Sequence, residues 1–157
     1  VGALAQTNFG RPEDLPILGV PVGRHLRPPA EDEPTPAGSI MIILATDAPL
    51  NNRQLERLAR RASFGLARTG STCHGGSGDF VIAFSTTPHI PDRPEGLLVA
   101  RPALYAQPVL STFSLAVIES VEEAIYNSLL QARTVTGRDG HTRHGLPAAE
   151  VVALLKG

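Results

Sequence analysis

The chain has 157 residues, enough for one domain or for part of a larger one, and 42% hydrophobic residues permit a core. With 14 Lys+Arg against 15 Asp+Glu the formal charge is −1, which argues against a nucleic-acid binder running on a global basic field. The single cysteine, Cys73, excludes an internal disulfide framework and a cysteine-based zinc site, and no stretch reaches the roughly 18 apolar residues of a membrane-spanning helix.

Val1–Gln6 (VGALAQ) is a short apolar run that predicts a strand, with Asn8-Phe9-Gly10 as the turn after it. The opening VGALAQTNFGRPEDL lacks the basic leader and long apolar core of a signal peptide. It starts without a methionine inside a strand-like run, so the chain is expected to lack its natural N-terminus. Residues 11–38 carry Pro12, Pro16, Pro21, Pro28, Pro29, Pro34 and Pro36, a density that prevents regular helix and interrupts strand ladders. They predict a surface excursion, mobile from about Arg27 to Ala37, with the acid cluster Glu31-Asp32-Glu33 inside it.

Ser39–Thr46 (SIMIILAT) is continuously apolar and rich in isoleucine, the pattern of a strand covered on both faces. Asp47-Ala48-Pro49 closes it. Asn51 or Asn52 can cap a helix whose apolar residues are Leu55, Leu58, Ala62 and Leu66, with Arg53, Arg57, Arg60 and Arg61 on a solvated face. That helix should end near Thr69-Gly70, with glycine as the left-handed terminator. The loop GSTCHGGSGD leads into a second buried strand, Phe80–Ser85. Residues 86–110 read as another proline-rich excursion with a short strand at Gly96–Ala100. Ser111–Thr136 predicts a long helix with a core stripe of Leu115, Ile118, Val121, Ile125, Leu129 and Ala132, stopped by Gly137. Residues 137–146 read as loop, and Pro147 suits the first turn of a last helix through Leu155. The order strand, strand, helix, strand, helix, helix predicts a layered α/β domain of α+β type.

Several small groups invite chemistry. Gly75-Gly76-Ser77-Gly78-Asp79 is glycine-rich enough to wrap a phosphate, but it precedes a strand, whereas nucleotide-binding loops follow one and open a helix. Ser77 and Asp79, two apart, would point the same way if the strand extends back to them. Asp139, His141 and His144 form a loop cluster without the context of a metal site. Cys73-His74 are adjacent, so in an extended segment their side chains diverge. Ser39, by composition, is a boundary residue. It gains a chemical role only if the Gly38–Ser39 bond breaks. It would then carry an α-amine with a pKa of about 7.7–8.0 beside its own hydroxyl, a base that needs no histidine. Gly38 favours such a break by leaving the backbone free to distort and its carbonyl open to attack.

PAGSIMIILATDAPLNNRQLERLARRASFGLARTGS, GGSGDFVIAFST and the upstream QTNFGRPEDLPILGVPVGR together resemble the L-aminopeptidase/D-esterase and β-peptidyl aminopeptidase (DmpA/BapA) family, peptidase family S58, over most of residues 1–130. The resemblance implies a four-layer αββα sandwich of the self-processing type, of which this chain supplies part. Residues 1–38 would be the end of the α chain with its proline-rich linker, and residues 39–157 the β chain. Autocleavage would fall between Gly38 and Ser39, leaving Ser39 as N-terminal nucleophile. Ser77 and Asp79 match the serine and acid that hold and tune its amine; the family also carries Glu there, and the shorter Asp demands a closer strand. Asn8 matches the oxyanion-hole asparagine. The family's oxyanion tyrosine lies earlier in the α chain, and neither Tyr105 nor Tyr126 matches it.

The implied activity is release of N-terminal residues from short peptides, amides or esters, in the bacterial cytoplasm, without cofactor or metal. The implied partners are the missing α-chain segment, a short peptide or amide substrate and further αβ units in a homo-oligomer, with no nucleic acid and no membrane. A pantetheine-type amidase of the same fold and a non-catalytic interaction module are the alternatives. Without the missing segment, the two apolar strands are expected to expose apolar faces.

Overall fold

Gly2–Asn8 (β1), Ser39–Thr46 (β2) and Gly78–Ser85 (β3) form a sheet of order β1-β2-β3, with β1 antiparallel and β3 parallel to β2. The computed structural model describes residues 1–26, 38–87, 92, 93, 95, 96, 104 and 107–157. The expected mobile run Arg27–Ala37, and all but the first residue of the expected strand Gly96–Ala100, lie outside the described residues. β1 runs two residues further than expected, so Asn8 belongs to the strand and not to a turn, and β3 begins at Gly78 rather than at Phe80. In both cases pairing with β2 extends the strand beyond its own apolar run.

Helices cover one face of this sheet. Asn51 caps Asn52–Ala59 (α1): its side chain accepts from the Gln54 N–H, while Gln54 reaches back to the Asn51 N–H. That reciprocal box satisfies two N–H groups that a helix start otherwise leaves bare. The expected single helix breaks at Arg60–Arg61 and resumes as Ala62–Arg68 (α2). At the break the Arg61 N–H donates to the Leu58 carbonyl and the Ser63 hydroxyl donates to the Arg60 carbonyl, tightening the turn and diverting the ladder. Gly70 closes α2 with φ +93°, as its residue type predicted.

The long helix is Gln107–Gln131 (α3), earlier at both ends than expected. Pro108 sits in its first turn, where a missing N–H costs nothing. Val135–Thr136 (β4) leaves the helix to pair with Thr142–Arg143 (β5), so the expected loop 137–146 contains part of a hairpin. Ala148–Lys156 (α4) follows, with Pro147 just outside it. No helix among the described residues is long and apolar enough to cross a membrane.

The core lies between sheet and helices: Ile40, Ile42 and Leu44 meet Leu58, Ala62, Leu66, Val117, Val121 and Ile125. The buried line of α3 is rotated from the expected stripe, since Val117 is buried while Leu115 is 49% exposed and Ala132 falls outside the helix. α3 is apolar around much of its girth, so its own period does not choose a face; contact with β1 and α2 does. Gly65 lets α2 approach closely, because a Cβ there would stand 2.6 Å from the Ile118 carbonyl oxygen. A second cluster joins Ile17 and Val22 to Val151 of α4.

Among the described residues, β2 and β3 are not covered on both faces, contrary to the expectation. Leu4, Met41, Ile43, Phe80, Ile82 and Phe84 are all exposed. By strand alternation they share the face turned away from the helices. The result is a two-layer unit with one open apolar face, the exposure expected of a part of a four-layer sandwich.

Candidate active site

Three strand ends converge at one edge of the sheet. β1 is antiparallel, so its last residue, Asn8, stands opposite the first residue of β2, Ser39. β3 is parallel and begins in step with β2, so Gly78 stands on the other side of Ser39. Asn8, Ser39 and Gly78 thus form one cross-strand row, and residues in such a row project to the same face. That face is the open one, shared with Met41 and Phe80.

The Ser39 hydroxyl oxygen accepts a hydrogen bond from the Gly78 N–H at 3.2 Å. This leaves the hydroxyl proton available for donation. The sequence names Gly78 only as part of the glycine-rich run Gly75–Asp79 and gives it no role of its own; its pairing with β2 is a long-range fact. A side chain at Gly78 would bring a Cβ to 3.3 Å from the Ser39 hydroxyl oxygen, crowding the site.

Gly38 precedes the row and packs tightly. A Cβ there would stand 2.5 Å from both the Asn8 carbonyl oxygen and the Phe9 Cα. Glycine is therefore demanded by the close approach of two main chains. A shallow depression lies beside it, lined by Phe9, Gly10, Asp14, Gly70, Ser71, Thr72, His74 and Ser77.

Ser77 donates to the Asp79 carboxylate at 2.6 Å, so the pair does point the same way. By register Asp79 falls on the face of Ile40, opposite to that of the Ser39 side chain. The pair thus flanks Gly78 beside the Ser39 main chain and does not bond the Ser39 hydroxyl, whose partner is the Gly78 N–H. A turn closed by the Ser77 N–H on the His74 carbonyl, at 2.8 Å, fixes the loop before the strand.

The other candidates do not bond the row: His74 lines the depression beside Gly38, and neither it nor Cys73 bonds Ser39. Cys73 is exposed and its N–H bonds the Ser71 hydroxyl, while His74 pairs with the Thr72 hydroxyl at 3.2 Å and not with the thiol. Asp139 pairs with Arg138 in the β4–β5 turn, and among the described residues no group of three His, Cys, Asp or Glu could hold a metal.

The profile of peptidase family S58 matches residues 1–143. The β-peptidyl aminopeptidase BapA of Sphingosinicella xenopeptidilytica is 34% identical over 174 residues, covering 99% of this chain and 42% of that protein. BapA of Sphingosinicella microcystinivorans is 38% identical over 170 residues, with 99% and 43% covered. Among solved structures, a Pyrococcus horikoshii OT3 protein is 49% identical with a TM-score of 0.85, covering 98% of this chain and 42% of its own. The L-aminopeptidase D-Ala-esterase/amidase of Ochrobactrum anthropi, described as a prototype for the serine aminopeptidases with a variant of the Ntn hydrolase fold, is 38% identical with a TM-score of 0.85 and the same coverage. A β-aminopeptidase from Burkholderia is 36% identical with a TM-score of 0.78, covering 98% of this chain and 43% of its own. The chain spans about two fifths of the length of the curated relatives it matches.

Proposed function

The chain belongs to peptidase family S58, and from that membership we propose that it carries the nucleophile of a self-processing serine aminopeptidase. Residues 1–38 are then the end of an α chain and residues 39–157 the β chain. The single observation that carries the proposal is the Asn8–Ser39–Gly78 row, which sets an amide donor and a hydroxyl side by side on adjacent strands.

In the processing step the Ser39 hydroxyl oxygen attacks the Gly38 carbonyl carbon. The bond from that carbon to the Ser39 nitrogen breaks as the ester bond to the Ser39 oxygen forms, and the hydroxyl proton passes to that nitrogen, which becomes the free amine. Water then hydrolyses the ester, leaving a Gly38 carboxylate and a free Ser39 amine. The tight seat of Gly38 against Asn8 and Phe9 supports this reading, since it holds the carbonyl in place while its residue type tolerates distortion.

In the hydrolytic step the neutral amine takes the hydroxyl proton as the oxygen attacks the carbonyl of a substrate's N-terminal residue. The Asn8 amide donates to the developing oxyanion, the leaving amine receives the proton, and water resolves the acyl-enzyme. Ser77 and Asp79, beside the Ser39 main chain rather than its hydroxyl, suit the task of holding that amine and tuning its basicity. Short peptides, amides or esters with a free amino end are the proposed substrates. The open apolar face is the proposed seat of the α-chain segment that completes the pocket.

Replacing Ser39 with Ala in the full-length protein tests the reading. Intact-mass measurement should find one uncut chain, and an amide substrate with a free amino end should not be turned over. Normal cutting or normal turnover in that variant would overturn it.

A further inference from the structure

Resting on the cleavage proposed above, we infer that α4 and Tyr126 form an anchor, which keeps the Asn8-bearing segment on the Ser39-bearing piece once the Gly38–Ser39 bond is broken. After the cut, nothing covalent joins the two halves of the site. The β1–β2 ladder, the packing of β1 on α3 with its Thr7–Ser128 hydroxyl pair at 2.8 Å, and the proposed seating of the α-chain segment on the open sheet face are links. A further one is a knot between Leu15 and Leu26, and it is grasped by residues far along the other piece.

The knot is self-bonded. Ile17 and Val20 exchange backbone hydrogen bonds at 2.9 Å each, and the Gly23 N–H bonds the Leu15 carbonyl at 3.0 Å. Its apolar residues then need a partner surface. Val22 is fully buried and Ile17 nearly so, and what covers them includes Val151 of α4, itself 2% exposed. From the side of α3 the Tyr126 hydroxyl shares its proton between the Pro16 carbonyl at 3.0 Å and the Glu122 carboxylate at 3.3 Å. Gly70 seats the same segment from a third direction, since a Cβ there would overlap the Asp14 carbonyl oxygen. α4 lies beyond residue 143, where the match to the family profile ends, so the anchor uses a helix outside the matched span.

A helix that merely completes the fold and one that retains a cut segment differ in one respect. Retention of a separate piece depends on concentration, whereas an intramolecular contact does not. The test uses the full-length protein, cut, at a fixed sub-denaturing urea concentration. Specific activity on a short amide with a free amino end is followed on serial dilution, with size exclusion to detect the freed segment. Val151→Ala should raise the concentration of half-activity by about tenfold, and Tyr126→Phe should raise it less. Val152→Ala, on the exposed side of α4, should not. In a Ser39→Ala background, where the chain stays tethered, Val151→Ala should lower the urea midpoint without any dependence on dilution.

If cut Val151→Ala keeps the wild-type dilution profile and no segment is freed, the anchor is wrong although the cleavage stands. A wild-type chain that remains in one piece by intact mass overturns the reading beneath it, and the anchor with it.

Discussion

Asn8 ends β1 directly opposite Ser39, the first residue of β2. Neighbours so paired in an antiparallel ladder place their Cβ atoms about 4.5–5.5 Å apart on one face. Asn8 is exposed and Ser39 half-buried, so the asparagine has little packing to lose. In the full-length enzyme Asn8→Ala should therefore lower kcat by about 10²–10³, the usual effect of losing one oxyanion donor. Thermal melting should move little. A kinetic loss accompanied by a comparable loss of stability would count against the assigned role.

Gly38→Ala asks for room that two main chains already occupy. The expected result is slow or absent cutting at the Gly38–Ser39 bond. The rate of appearance of two masses from one, after rapid refolding, checks it. A cutting rate equal to wild type would show that the close packing at Gly38 is not part of the cleavage geometry.

Gly65→Ala tests the α2–α3 contact instead. The added carbon would meet the Ile118 carbonyl oxygen and the Val121 side chain, both within 3.0 Å. Overpacking of this kind costs about 1–3 kcal/mol, to be read from denaturant midpoints. The contact is between α2 and α3 and involves none of Asn8, Ser39 and Gly78, so kcat of the folded fraction should be unchanged.

Tyr126 supplies a pH dependence. Burial first, then the charge of Glu122 and the hydrogen bond to it, push its hydroxyl up to about 12 from 10.0, with Arg68 acting in the opposite sense. In the unfolded chain the phenol ionises first, so its contribution to stability is complete below about pH 10 and is lost as the pH rises through about 12. The melting temperature of wild type should fall faster over that window than that of Tyr126→Phe. Parallel curves for the two proteins would refute the assignment.

The open sheet face predicts the behaviour of residues 1–157 on their own. Leu4, Met41, Ile43, Phe80, Ile82 and Phe84 would meet water together. The isolated chain should bind an apolar fluorescent dye, self-associate and lack hydrolytic activity. Threonine at positions 80, 82 and 84 should reduce dye binding and light scattering. A soluble, monomeric and active 157-residue chain would remove the need for a covering segment.

Much of this was legible locally. The isoleucine run of β2, the Asn51 cap and the Gly70 stop are statements about a few neighbouring residues, and local chemistry suffices for them. The β4–β5 hairpin was missed because Val135-Thr136 continues an apolar helix pattern, and only its partner Thr142-Arg143 makes it a strand. The break at Arg60–Arg61 was missed for a similar reason, since the apolar spacing runs through it unbroken while the backbone bonds do not.

By itself the sequence determined the candidates: a hydroxyl at the start of a stiff apolar strand, a glycine before it, and a serine and an acid two apart. Residue type and short spacing are enough to list them; the roles proposed for them come from the family the whole pattern resembles. Only the tertiary structure decided that Asn8 stands beside Ser39, that Gly78 bonds its hydroxyl while Asp79 faces the other way, and that α3 buries Val117 rather than Leu115. Register between strands and the choice of a helix face are set by contacts between residues distant in the chain. In an apolar stretch with no polar side to exclude, no local pattern substitutes for them.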